Sequence, residues 1–141
     1  AMRVVATLLV AMGSALSGGI AAAATPEEQA TICAEAESRY QQLFGTPTAA
    51  TAPVVVVTMY KHTFCPAQPT VRQGAPVRFV TVDKRPPHSF WFRDAGRVES
   101  ERFFEGEGAD MVVDLPAGEH VFLCGPHWEN EKMTGRMTVT P

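Results

Sequence analysis

Apolar and polar residues follow four different patterns along the chain. Val4 to Ala24 carry no charge and are rich in Val, Leu, Ala and Gly, with Arg3 before them and Thr25-Pro26-Glu27-Glu28 directly after. From Pro26 the apolar positions Ile32, Ala36, Tyr40 and Leu43 recur at helical spacing, with Cys33 and Phe44 beside them. The start of this segment is well signalled: Thr25 can cap, Pro26 suits the first helical position, and Glu28 completes a capping box. Gly45 supplies a stop, so the pattern predicts one amphipathic helix over 26–44. Thr46 to Pro53 has no periodicity and reads as a linker. Beyond it the chain turns to short strand-like runs at Val54–Tyr60, Val77–Val82, Ser89–Phe92, Ala109–Asp114, His120–Leu123 and Arg136–Thr140, separated by Gly and Pro turn signals. Such runs predict an all-β domain, a Greek-key β-sandwich over 53–141 with an N-terminal helical extension.

The first stretch has the build of a secretory signal peptide: a basic residue, an apolar run and a small-residue exit at Ala21-Ala22-Ala23-Ala24. Residues 1–24 are assigned to it, residues 25–52 to the helix and linker, and residues 53–141 to the β-domain. A membrane anchor is the competing reading of a run this long. Gly13, Ser14, Ser17, Gly18 and Gly19 dilute the run, however, and nothing anchors its far end. A periplasmic or secreted monomer, free of the membrane once the signal is cleaved, is expected. The apolar fraction of 45% against 19% charged residues supports a packed core. A formal net charge of −3 leaves no basic footprint, which argues against nucleic acid as a partner.

Export changes the meaning of the cysteines. Cys33, Cys65 and Cys124 are an odd set in a compartment where disulfides persist. Cys124 is crowded by histidine and methionine and is the thiol with another task. Cys33 and Cys65 are then left to pair, stapling the helix to the main domain.

The chemistry concentrates around Cys124-Gly125-Pro126-His127, just after a strand-like run, with Met133 downstream and His88 upstream behind Pro86-Pro87. One thiolate, two imidazoles and one thioether thus fall in two loops of a β-rich domain. Cu(I) favours sulfur and Cu(II) favours imidazole nitrogen, so a His₂Cys site with a weak axial Met suits both states. The metal ligands expected are His88, Cys124, His127 and Met133, around one copper ion per chain. Each residue also has an ordinary explanation: a buried thiol, a loop histidine, a core methionine. Zinc is the competing metal, although Met is a poor zinc ligand. A Cys124–His127 nucleophile and base is a further alternative, with no third orienting residue in view, so no catalytic residues are assigned. His62 and His120 are candidates for a second, weaker site, or ordinary strand histidines.

At Pro87-His88, Cys124-Gly125-Pro126-His127 and Met133 the chain resembles the cupredoxins, the small type 1 copper proteins such as plastocyanin and pseudoazurin. The resemblance covers about residues 53–141. It implies the same four ligands and an electron port at the edge of His127. Lys84 to Phe92, Glu99 to Phe104 and the Cys124 to Gly135 segment look most like the periplasmic copper-tolerance cupredoxins of bacteria. Two departures are visible. Many relatives carry Asn after the upstream His, where this chain has Ser89, so the side-chain tie between the ligand loops is expected to be altered or lost. The His127-to-Met133 interval is longer than in plastocyanin, which leaves a blue or a green site open and makes Met137 a weak rival ligand. The resemblance implies either an electron carrier, with a redox partner such as a cytochrome docking near His127 and Trp128, or a copper-tolerance protein whose only partner is copper. The acidic Glu99, Glu101, Glu105 and Glu107 would steer a basic partner or simply form a solvated loop.

Overall fold

Helix α1 spans Pro26–Phe44, the bounds expected from its caps. The Thr25 hydroxyl accepts a hydrogen bond from the Glu28 N–H at 3.2 Å. Gly45 closes the far end in the left-handed region at φ 78°, its N–H donating to the Gln41 carbonyl at 2.8 Å. The computed structural model describes residues 24–141. The segment read as a signal peptide lies outside them, apart from Ala24. No helix among the described residues is long and apolar enough to cross a membrane.

Seven strands follow: β1 (Val55–Tyr60), β2 (Thr63–Cys65), β3 (Thr70–Arg72), β4 (Pro76–Thr81), β5 (Gly108–Val112), β6 (Gly118–Leu123) and β7 (Thr134–Thr140). They form one sheet in the order β2-β1-β4-β5 and a second in the order β3-β7-β6. β1 pairs parallel with β4, and β3 parallel with β7, while the remaining pairs are antiparallel. This is the expected Greek-key sandwich with its N-terminal helix. A turn of α-helix, α2 (Trp128–Glu131), lies between β6 and β7.

The continuous apolar run of β1 is explained by burial on both faces. Val57 and Met59 join the inter-sheet core, with Phe64, Phe79, Phe92, Phe122 and Met137. Val56 and Tyr60 face the other way, into a second cluster with Ala36 and Tyr40 of α1. Tyr60 donates its hydroxyl hydrogen to Glu35 at 3.1 Å, and the Arg39 guanidinium donates to the Val82 carbonyl at 2.7 Å. A Cys33–Cys65 disulfide fastens α1 to β2, as the cysteine count implied.

Two expectations need correction. Ser89–Phe92 is not a strand: it makes one isolated bridge, Trp91 with Leu123, and His88 just before it makes another with Phe103. Its apolar side chains mimic a strand because they fill the core: Phe90 stacks on Phe79 with ring centroids 4.1 Å apart. Its backbone donors go elsewhere, Ser89 N–H to the Cys124 sulfur and Phe90 N–H to the Ser100 hydroxyl. Conversely β2 and β3, three residues each, escaped the pattern, and a Lys61-His62 turn with Lys61 at φ 51° is not a usual hairpin signal.

Gly108 opposes Val80 across the β4–β5 pair, and a Cβ there would sit 1.9 Å from the Phe79 carbonyl oxygen. The obstacle is backbone inside a ladder and cannot swing aside. Gly108→Ala is therefore expected to cost about 3 kcal/mol, read as a lowered denaturation midpoint in urea with little change in slope.

Candidate metal centre

Each functional side chain is placed by backbone on either side of it. β6 ends at Leu123, delivering Cys124 at the edge of the core, fully buried. The Cys124 carbonyl then accepts from the N–H groups of both His127 (3.1 Å) and Trp128 (2.8 Å), which closes the Gly125-Pro126 turn and brings His127 back beside the sulfur. Met133 is stitched to the same turn: its carbonyl accepts from Cys124 N–H at 3.1 Å, and its N–H donates to the His127 carbonyl at 3.2 Å. His88 is held from the opposite side by reciprocal backbone bonds with Phe103, at 3.0 and 2.7 Å.

These constraints bring three donor atoms together. The Cys124 Sγ lies 3.4 Å from His127 Nδ1 and 3.7 Å from His88 Nδ1. Among the described residues, His88, Cys124 and His127 are the one group of three such side chains whose ligand atoms all lie within 4.8 Å of one another. The set of one soft sulfur and two imidazole nitrogens, converging from two loops, suits a single copper ion. Met133 is fully buried at the same end of the main core. Met137, in β7, is core as well. His62 and His120 have separate neighbours. His62 packs its ring 4.9 Å from that of His127 and pairs with Glu131 at 3.3 Å, whereas His120 donates to the Pro116 carbonyl at 2.7 Å.

Of the two outcomes expected at Ser89, an altered tie or a lost one, the structure has the altered one. The Ser89 hydroxyl accepts from Gly125 N–H at 2.8 Å and donates to Glu99 at 2.8 Å, while its own N–H reaches the Cys124 sulfur at 3.5 Å. Serine thus keeps the connection with a shorter side chain and enlists Glu99 to complete it. Gly125 makes room for this, since a Cβ there would lie 1.6 Å from the Glu99 carboxylate. Glu99, Asp83 and His62 were not singled out from sequence as neighbours of the site. Asp83, six per cent exposed, lies 2.6 Å from His88 Nε2, and no local pattern announces it. Other acidic residues of the 99–107 stretch are bonded within the fold, Glu105 to Arg39 and Glu107 to Phe104 N–H. Trp128 lies under the Arg93 guanidinium, 4.6 Å from its ring centre.

Burial sets the protonation of the cluster. It pushes the Cys124 thiol up to about 11, partly offset by the Ser89 N–H. It pulls the His127 imidazole down to about 4, helped by the neighbouring His88 and His62. Before metal binds, stability is expected to be greatest between the ordinary values of 6.5 for imidazole and 9.0 for thiol. As pH falls from 6.5 towards 4, the unfolded chain takes a proton that native His127 refuses, so stability drops. As pH rises from 9.0 towards 11, the unfolded chain releases a proton that native Cys124 keeps, and stability drops again. Melting temperatures of the metal-free protein across this range check both arms, and His127→Ala is expected to flatten the acidic one.

The comparisons with known proteins agree with this architecture. No curated protein matches the chain by sequence. Among solved structures, an oxidized variant of amicyanin aligns with a TM-score of 0.54 at 20% identity, over 66% of this chain and 90% of its own. A Cu(I) form of another amicyanin variant gives 0.53 at 20% identity with the same coverage. The copper-containing nitrite reductase of Thermus scotoductus gives 0.54 at 23% identity, over 62% of this chain but only 22% of the reductase. At these identities the likeness speaks for the fold. The family model of the cupredoxin-like domain matches residues 29–139, nearly the whole described chain and most of α1 with it. The chain belongs to the cupredoxin-like family.

Proposed function

We propose that this protein is an exported one-electron carrier that holds one copper ion through His88, Cys124 and His127, with Met133 as the weak axial ligand. The observation that carries the reading is the convergence of His88 Nδ1 and His127 Nδ1 on the Cys124 sulfur, at 3.7 and 3.4 Å, inside a buried sandwich end. Copper in such a donor set cycles between two oxidation states. The chain supplies the rest. β6, the Cys124–His127 turn and the His88–Phe103 bridge fix the donors before metal arrives, so little rearrangement accompanies gain or loss of an electron. The core excludes water from the sulfur. His127, the ligand that is not fully buried, is the port through which an electron leaves, and Pro126 and Trp128 beside it offer a face for a redox protein such as a cytochrome. The carrier has no substrate and no reaction of its own. The uncharged N-terminal run supports export to the periplasm or beyond.

Adding Cu(II) to the purified protein, with visible and EPR spectra, tests the reading. An intense thiolate-to-copper band with one copper per chain is expected, and its colour reports on the bond to Met133. Correctly folded protein that takes up copper without that band, or prefers zinc, overturns it. The likeness of Lys84 to Phe92 to copper-tolerance cupredoxins supports a role in copper defence. If that is its main task, copper induces the protein and its deletion sensitises cells to the metal. A dedicated electron carrier shows neither.

A further inference from the structure

The geometry points to Asp83 as a positioning residue that aims His88 at the metal and lowers the reduction potential of the site, an inference that rests on the copper reading above. Asp83 follows the end of β4 and is buried, with Oδ2 2.6 Å from His88 Nε2. The same oxygen accepts the Lys61 N–H at 2.6 Å, at the tip of the β1–β2 hairpin. Among the described residues no lysine or arginine forms an ion pair with it, since Lys61 Nζ is engaged with Glu35 at 3.0 Å. The one side chain to which this buried carboxylate is joined is therefore a histidine of the cluster.

Two consequences follow from elementary chemistry. An imidazole that donates its Nε2 hydrogen to a carboxylate has its Nδ1 lone pair free, and here Nδ1 is the atom that faces the Cys124 sulfur. The ring cannot turn over without breaking a buried charge-assisted hydrogen bond. The carboxylate also pushes electron density into the ring, making Nδ1 a stronger donor. Imidazole nitrogen favours Cu(II) over Cu(I), so the added density stabilises the oxidised state and lowers the potential. Burial magnifies the effect, because little water lies between the charge and the ring.

A purely structural task, holding the hairpin tip through Lys61 N–H, is the competing account, and Asp83→Asn separates the two. Asparagine offers a carbonyl oxygen to the same two donors but no charge. We expect Asp83→Asn to keep the thiolate-to-copper band while weakening Cu(II) relative to Cu(I) about tenfold. That is a rise of about 59 mV for a one-electron couple, measured by redox titration of the visible band. A potential equal to or below that of the unaltered protein overturns the inference and leaves Asp83 a hairpin anchor. Should Asp83→Asn not fold, the unaltered Cu(I) protein decides. A slowly exchanging, strongly downfield His88 Nε2–H proton resonance supports the assignment, and its absence overturns it. The two readings fail separately: unaltered protein with no thiolate-to-copper band removes the copper site and the tuning with it, whereas a normal band with an unmoved potential removes the tuning alone.

Discussion

Cys124→Ala abolishes the intense visible band and leaves a folded protein: this is the largest effect expected of any single substitution here. The thiolate is the only donor in the cluster whose charge transfer to Cu(II) gives such a band, so the two imidazoles, with or without the proposed Met133 ligand, cannot replace it. The fold should survive, because the sulfur is a small buried group at one end of a core built from Phe64, Phe79, Phe92 and Phe122. Losing it costs about 1 kcal/mol, typical of a modest cavity, so far-UV circular dichroism should match the unaltered protein and the melting temperature should fall by only a few degrees. The substitution also removes a proton balance. A thiol raised to about 11 is protonated at neutral pH, so copper uptake must expel that proton. Copper added in weak buffer is expected to acidify the solution of the unaltered protein, and to do so less in the alanine variant. A variant that keeps the band would place the thiolate elsewhere.

Removing the Cys33–Cys65 disulfide, by Cys33→Ser with Cys65→Ser, is expected to cost about 3–4 kcal/mol for a loop spanning 32 residues. The loss should fall unevenly. α1 covers the outer face of the β2-β1-β4-β5 sheet with few large side chains: Ala36 and Tyr40 are its buried positions, while Leu43 and Phe44 are exposed. Ile32 packs partly buried beside Ala36 and Tyr40, and polar contacts through Glu35 and Arg39 add to this grip. Without the disulfide the helix should therefore loosen before the sandwich does. Hydrogen exchange read per residue should accelerate across residues 26–44 and along the Val56 and Tyr60 face ahead of β6 and β7. Uniform acceleration would show that helix and sandwich unfold as one unit.

Much of this molecule was legible in its residues, and the parts that were not share a cause. α1 was readable to its last residue because Thr25, Pro26 and Gly45 act locally. The disulfide was readable by counting, once Cys124 had another task. The Cys124–His127 turn is four residues long, and its bonds are local too. By contrast Ser89–Phe92 looked like a strand because core packing and sheet pairing select the same apolar side chains, and only the destination of its N–H groups tells them apart. At Ser89 the residues left an altered or a lost tie open, and the tie is altered rather than lost because Glu99 reaches the hydroxyl from ten residues away and a glycine at 125 leaves the space. Asp83 and His62 owe their places beside the cluster to the β1–β2 hairpin, a turn made by Lys61 and His62 that carries no usual turn signature.

The uneven burial of the proposed ligands bears on how fast two such molecules can meet to any purpose. His88, Cys124 and Met133 have no measurable exposure, while His127 is half-buried, with the His62 ring beside it. A carrier of this build is insulated over nearly its whole surface and has one terminal. Most collisions are then unproductive whatever the affinity of the metal, and turnover is governed by the fraction of encounters in which that one end is presented. Crowding the His127 end with a bulky neighbour, for example at His62, should slow exchange while leaving spectrum and potential almost untouched.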